Sequence, residues 1–145
     1  MGGELFNAMH LNRWMHKLED SATMKITYIF IMFVLVDFLY IYSFGNYFNS
    51  VIRDIQGSSI EMNTQFFVGC FGLYNLLALA MYYFIILPNK SIGHAFFLGL
   101  IIYGSIDFTN YAMFKKYKWQ IVVTDMLWGG ILFSLVCAWS RHLIF

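Results

Sequence analysis

Four long apolar blocks dominate the chain, at about 24–43, 66–87, 95–114 and 119–140. Each is close to the roughly 20 residues that a helix needs to cross a hydrocarbon layer about 30 Å thick. The blocks are continuous, and too long for barrel strands, which run about 10 residues with alternate side chains polar. Only helices and closed barrels satisfy the backbone inside a bilayer. The pattern therefore predicts an all-α, polytopic four-helix transmembrane bundle covering residues 24–145.

The polar stretches set the connections. Residues 1–23 form a polar extension that does not read as a cleaved signal peptide. Within it, Leu5, Met9, Trp14, Met15 and Leu18 give 4–19 an imperfect apolar face, which predicts an N-terminal interfacial helix lying on the membrane surface. Residues 44–65, with Gly45, Asn46, Gly57, Ser58 and Ser59, are expected to form a polar loop. A short turn at 88–94 opens with Pro88, the only proline, where a helix stop is expected. A tight basic turn carries Lys115, Lys116 and Lys118. Short connections make the second, third and fourth helices antiparallel neighbours. The basic residues do not orient the chain: Arg13, Lys17, Lys25, Lys90 and Arg141 fall on one side, Arg53, Lys115, Lys116 and Lys118 on the other.

Inside the apolar blocks lie Asp37, Asp107 and Asp125, three of the eight acidic residues, with no lysine or arginine in the four segments except Lys25 at the start of the first. A carboxylate at the centre of a bilayer helix costs roughly 2.5–3.5 kcal/mol. Such residues must be protonated, share protons, bind a cation or face a wet cavity. At 1.5 Å rise per residue, all three fall roughly 9–10 Å from the end of their helix nearest the lysine turn. Asn75 lies only slightly deeper, at roughly 14 Å. Tyr103 and Asn110 share the face of Asp107, Trp128 that of Asp125, and Tyr40 that of Asp37. The expected site is a carboxylate-lined pocket open, or nearly open, toward the lysine turn. Asp37, Asp107 and Asp125 carry its charge, Asn75, Asn110 and Tyr103 orient them, and Trp128 forms a wall. Interhelical hydrogen-bond glue, worth about 0.6–2 kcal/mol per residue, is the structural alternative.

Composition narrows the classes. The chain is 60% hydrophobic and only 12% charged, against about 25% charged in a soluble domain. A net charge of +1 with no dense basic run argues against nucleic acid. No haem or retinal is expected: retinal needs a lysine inside a helix, and His94 and His142 fall at helix ends with no metal-ligand spacing. Asp107 and Asp125 lack the flanking residues of an intramembrane aspartyl protease. An all-carboxylate set suits protons or hard cations such as Mg²⁺. Phe6 stands where myristoylation wants Ser or Thr, and 89–91 lies too near a helix end to be a good glycan acceptor. Cys70 and Cys137 are expected near opposite membrane faces, too far apart for the roughly 7 Å that a disulfide allows. Gly130, Ser134 and Ala138 form a small-residue stripe suited to close helix approach or a homo-oligomer.

Residues 103–129 read YGSIDFTNYAMFKKYKWQIVVTDMLWG. This resembles the signature of a domain-of-unknown-function family of small, four-helix predicted membrane proteins: Tyr-Gly-x-Tyr-Asp-Leu-Thr-Asn, a Trp, then Val-Asp-x-x-Trp-Gly. The matching positions are Tyr103, Gly104, Asp107, Thr109, Asn110, Trp119, Asp125, Trp128 and Gly129, with Asp37 and Pro88 matching an Asp in the first helix and a Pro closing the second. Ile106, Gln120 and Tyr40 depart from the family pattern. The resemblance covers about 35–140 and implies an integral membrane protein of a cell membrane, or of a viral envelope or inner membrane. It adds Thr109 to the candidates and implies no activity.

Three functions follow from these residues. The first is a small transporter or binding protein taking a proton, a cation or a lipid-like ligand at the aspartates. The second is a lipid-modifying enzyme using them as acid–base groups or Mg²⁺ ligands, with Lys115, Lys116 and Lys118 facing headgroups. The third is a structural membrane or virion component. Membrane lipids, and a second copy of the chain, are the expected partners.

Overall fold

The computed structural model describes the backbone of residues 2–144 and the side chains of residue 17 and of residues 21–142. Four α-helices make up the fold: α1 (Gly2–Gln56), α2 (Thr64–Met81), α3 (Ile92–Met113) and α4 (Trp119–Ile144). A π-helical segment, Tyr82–Ile86, extends α2. Among the described residues, four stretches are long and apolar enough to cross a membrane: Ser21–Gln56, Thr64–Ile86, Ile92–Met113 and Trp119–His142.

The first helix differs from the expectation at both ends. It runs unbroken for 55 residues, so 2–20 continue the backbone of the first span. The apolar face expected for 4–19 lies outside the described residues. Beyond Ser43 the helix continues where a loop was expected. Phe44, Phe48, Val51, Ile52 and Ile55 keep the three-and-four spacing of an apolar helical stripe, and Gly45 and Asn46 do not interrupt it. Val51 is fully buried. Termination falls at Gly57, whose φ of +82° is a left-handed value that glycine adopts without strain. Its N–H donates to the Arg53 carbonyl at 2.8 Å, closing the helix. The remaining loop folds back on α1: Arg53 donates to the Ser59 hydroxyl, and Asn49 accepts from the Ile60 N–H.

Asn63 starts α2, its side-chain oxygen accepting from the Phe66 N–H at 3.1 Å. The end of α2 widens, with the Leu87 N–H reaching the Tyr82 carbonyl at 2.8 Å. Pro88 then ends the helix, and Asn89 takes a left-handed φ of 52°, which Asn tolerates better than most residues.

Packing does not follow chain order. α3 and α4 form the largest interface, α1 packs against both α2 and α4, and α2 has no substantial backbone-level contact with α3. The expected α2–α3 pairing is thus replaced by an order α2–α1–α4–α3. The α3–α4 approach is set by glycines: a Cβ on Gly99 would overlap the Gly129 carbonyl, and one on Gly129 would strike the Tyr103 ring. The expected stripe contributes Gly130, which faces Phe96, whereas the Ser134 hydroxyl bonds the Gly130 carbonyl of its own helix. Ile29, Phe33, Leu77, Met81, Phe133 and Val136 fill the apolar core. Phe33 meets Phe133 edge-on at 4.8 Å. Phe38, Leu76, Phe97 and Phe108 point outward, each more than half exposed. On a protein of this size, so much apolar surface suits lipid rather than water.

Candidate functional site

Asp37 sits on the inner face of α1, 6% exposed. Both of its oxygens accept hydrogen bonds: one from the Trp128 indole at 2.7 Å, the other from the Tyr74 hydroxyl at 2.8 Å. This single carboxylate therefore ties α1 to α4 and to α2. One turn along α1, Tyr40 reaches across to α4 and donates to Asp125 at 2.8 Å. Its ring stacks on Trp128, with centroids 4.3 Å apart and planes 8° from parallel. The two stacked rings thus donate to two different aspartates. Asp107, on α3 and 5% exposed, accepts from the Tyr117 hydroxyl at 2.6 Å. Tyr117 belongs to the turn between α3 and α4.

The donors are phenols and an indole, all of them neutral. Tyr117 lies outside the spans; burial, and then its bond to Asp107, hold its hydroxyl above the ordinary tyrosine range. Tyr103 supplies a fourth phenol. Its ring packs on Gly129, and its hydroxyl is buried without a hydrogen-bond partner among the described residues. Asp37, Asp107 and Asp125 all lie close enough to act on it electrostatically.

The candidates read from the sequence divide clearly. The three aspartates, Trp128 and Tyr103 gather in one layer, and Asn110 lies against the Tyr117 hydroxyl. Asn75 instead donates to the Phe71 carbonyl of its own helix at 2.7 Å. Thr109 is exposed and bonds the Ser105 carbonyl, the usual way a hydroxyl satisfies itself on a helix. Lys115, Lys116 and Lys118 are all exposed, and Lys118 lies 5.9 Å over the Tyr47 ring. Among the described residues, no three His, Cys, Asp or Glu side chains converge in a way that could hold a metal ion. Cys70 and Cys137 are both free.

Two members of the layer escaped the sequence reading. Tyr74 lies next to Asn75 in the chain, at nearly the same depth but turned about 100° around the helix. Tyr117 is the one uncharged residue among the lysines of the turn, and that isolation was its signal.

The family model described as predicted membrane protein (DUF2177) matches residues 22–142. The chain belongs to this family. No curated protein and no solved structure matches it. In this DUF2177 chain the matched region holds the four spans, all but Ser21 of the first, and every residue of the carboxylate layer. The 103–129 segment supplies two of the three aspartates, together with Tyr103, Tyr117, Trp128 and the Gly129 surface on which Tyr103 rests.

Proposed function

We propose that this membrane protein takes up protons at the Asp37–Asp107–Asp125 layer, from the side of the bundle that carries the 115–118 turn, as a small proton-linked transporter or proton-binding protein. The observation that carries the reading is the donor set: three carboxylates on three spans are met by Tyr40, Tyr74, Tyr117 and Trp128, while the lysine and arginines of the spans, Lys25, Arg53 and Arg141, lie near span ends. Buried carboxylates without a counter-cation are unfavourable as three bare charges, so the layer exchanges protons or cations with the outside. The absence of a converging ligand set among the described residues favours protons. Tyr117 and Asp107 form the step nearest the turn. The unpartnered Tyr103 hydroxyl gives the interior a group that can donate or accept.

Proteoliposomes with a trapped pH-sensitive dye test this. An imposed potential is expected to drive proton uptake in the parent protein and only the protein-free rate in Asp37→Asn and Asp107→Asn. A parent signal equal to empty vesicles, or Asn variants as fast as the parent, would remove the proposal.

A structural role is the second reading, favoured by the Asp37 bonds that join three helices. It requires the Asn variants to lose folded protein, whatever the parent's flux.

A further inference from the structure

At the end of the bundle opposite the carboxylates, a cavity of about 460 Å³ opens among Lys25 of α1, Tyr82, Ile86 and Leu87 at the end of α2, Asn89, and Arg141 of α4. Its size falls within the range of about 300–1,000 Å³ usual for small-molecule sites. We propose that it binds the phosphate headgroup of an anionic phospholipid in that leaflet.

The depth fits. Arg141 lies 16 residues after Asp125 on α4, roughly 24 Å of rise. Asp125 lies roughly 9 Å inside the other end of the helix. The sum is close to the hydrocarbon thickness of about 30 Å, so Arg141 reaches headgroup level. Lys25 stands four residues after Ser21, where the first candidate span begins, and Leu87 directly follows the second. Three separate elements therefore bring two cations and an amide to one cavity at the membrane surface.

The chemistry fits as well. A guanidinium and an ammonium around one opening suit a phosphate oxyanion. Arg141 is held in place, because its guanidinium donates to the Lys90 carbonyl in the turn after α2. That turn is itself fixed: the Lys90 N–H donates to the Ile85 carbonyl at 2.8 Å, and Asn89 adopts its left-handed φ beside the cavity. The π-helical widening at Tyr82–Ile86 forms the wall from which Tyr82 and Ile86 face the opening. Leu87, 60% exposed, continues the wall toward lipid, where the acyl chains would lie. A free phosphate would use the same cations and none of the apolar wall.

The test is thermal stability of the detergent-purified full chain, titrated with phosphatidylglycerol, with phosphatidylcholine of the same acyl chains, and with inorganic phosphate. Phosphatidylglycerol is expected to raise the melting temperature in a saturable way, and the other two to have little effect. Lys25→Gln and Arg141→Gln are each expected to weaken apparent phosphatidylglycerol affinity about tenfold or more, while Arg141→Lys retains most of it. Arg53→Gln, at the other end of the bundle, is expected to leave it unchanged. If Arg141→Gln fails to fold for want of its tether to Lys90, Lys25→Gln decides alone. Equal stabilisation by phosphatidylcholine would overturn headgroup recognition. A full shift from inorganic phosphate would assign a free-anion site instead. Parental affinity in Lys25→Gln would place the lipid elsewhere.

Discussion

The two halves of the bundle hold their helices together by different means. Toward the 115–118 turn, α1, α2 and α4 meet through aspartates that accept from phenols and an indole. Toward the opposite face, the same helices meet through Phe33, Met81, Phe133 and Val136, with Lys25 and Arg141 at the rim. Lipid tails are as apolar as these side chains, so the apolar half gains from close packing rather than from leaving water. Packing tolerates small rotations of a helix. A hydrogen bond at 2.7 Å to one carboxylate oxygen does not. The apolar half thus supplies most of the adhesion, and the carboxylate half fixes which face of each helix turns inward.

Deleting packing should have the largest effect. Phe133→Ala removes a fully buried ring that meets Phe33, and about 3 kcal/mol or more of stability should go with it. Thermal unfolding in detergent reads the loss, and dye-reported proton uptake per folded molecule should stay at the parental rate. Next comes Asp37→Asn, which replaces one of two bonded acceptor oxygens with a donor group; about 2 kcal/mol should be lost. Asp107→Asn, with one phenol partner, should lose about 1 kcal/mol. If the Asp37 loss equals or exceeds that of Phe133, the division of labour between the halves is wrong.

The smallest effect belongs to Tyr117→Phe, at about 1 kcal/mol or less near neutral pH, and its pH dependence sharpens the contrast. Burial and the bond to Asp107 raise the folded-state pKa of this phenol. The unfolded chain releases that proton near pH 10, before the folded chain does. The contribution of Tyr117 is therefore intact below about pH 10 and declines as pH rises toward the raised folded value. Melting curves of parent and Tyr117→Phe should converge above pH 10. A constant gap across that window would show that the phenol does not titrate this way.

Much of the architecture was legible because a bilayer demands about 20 apolar residues per crossing. The same arithmetic placed Asp37, Asp107 and Asp125 at one depth. Helix rotation was not legible. α2 is apolar nearly all round, so nothing in its pattern says whether Tyr74 or Asn75 turns inward. Thr109 shares its surroundings in the chain with Asp107, yet it satisfies itself on the Ser105 carbonyl and faces out. The continuation of α1 past Ser43 was present in the spacing from Phe44 to Ile55, but Gly45 and Asn46 read as turn punctuation. They are local preferences of about 1 kcal/mol or less each, outweighed by an apolar stripe that runs from Phe44 to Ile55 and buries Val51.

The glycine contact between α3 and α4 has a mechanical corollary. With Gly99 against the Gly129 backbone and Gly129 against Tyr103, these two helices form a stiff hairpin with no slack for sliding. The Tyr117–Asp107 bond lies wholly inside that hairpin, whereas Tyr40–Asp125 and Trp128–Asp37 cross from it to α1. Any tilt of α1 against the hairpin would therefore strain both crossing bonds together and leave the third untouched, making the α1–α4 seam the natural line of shear.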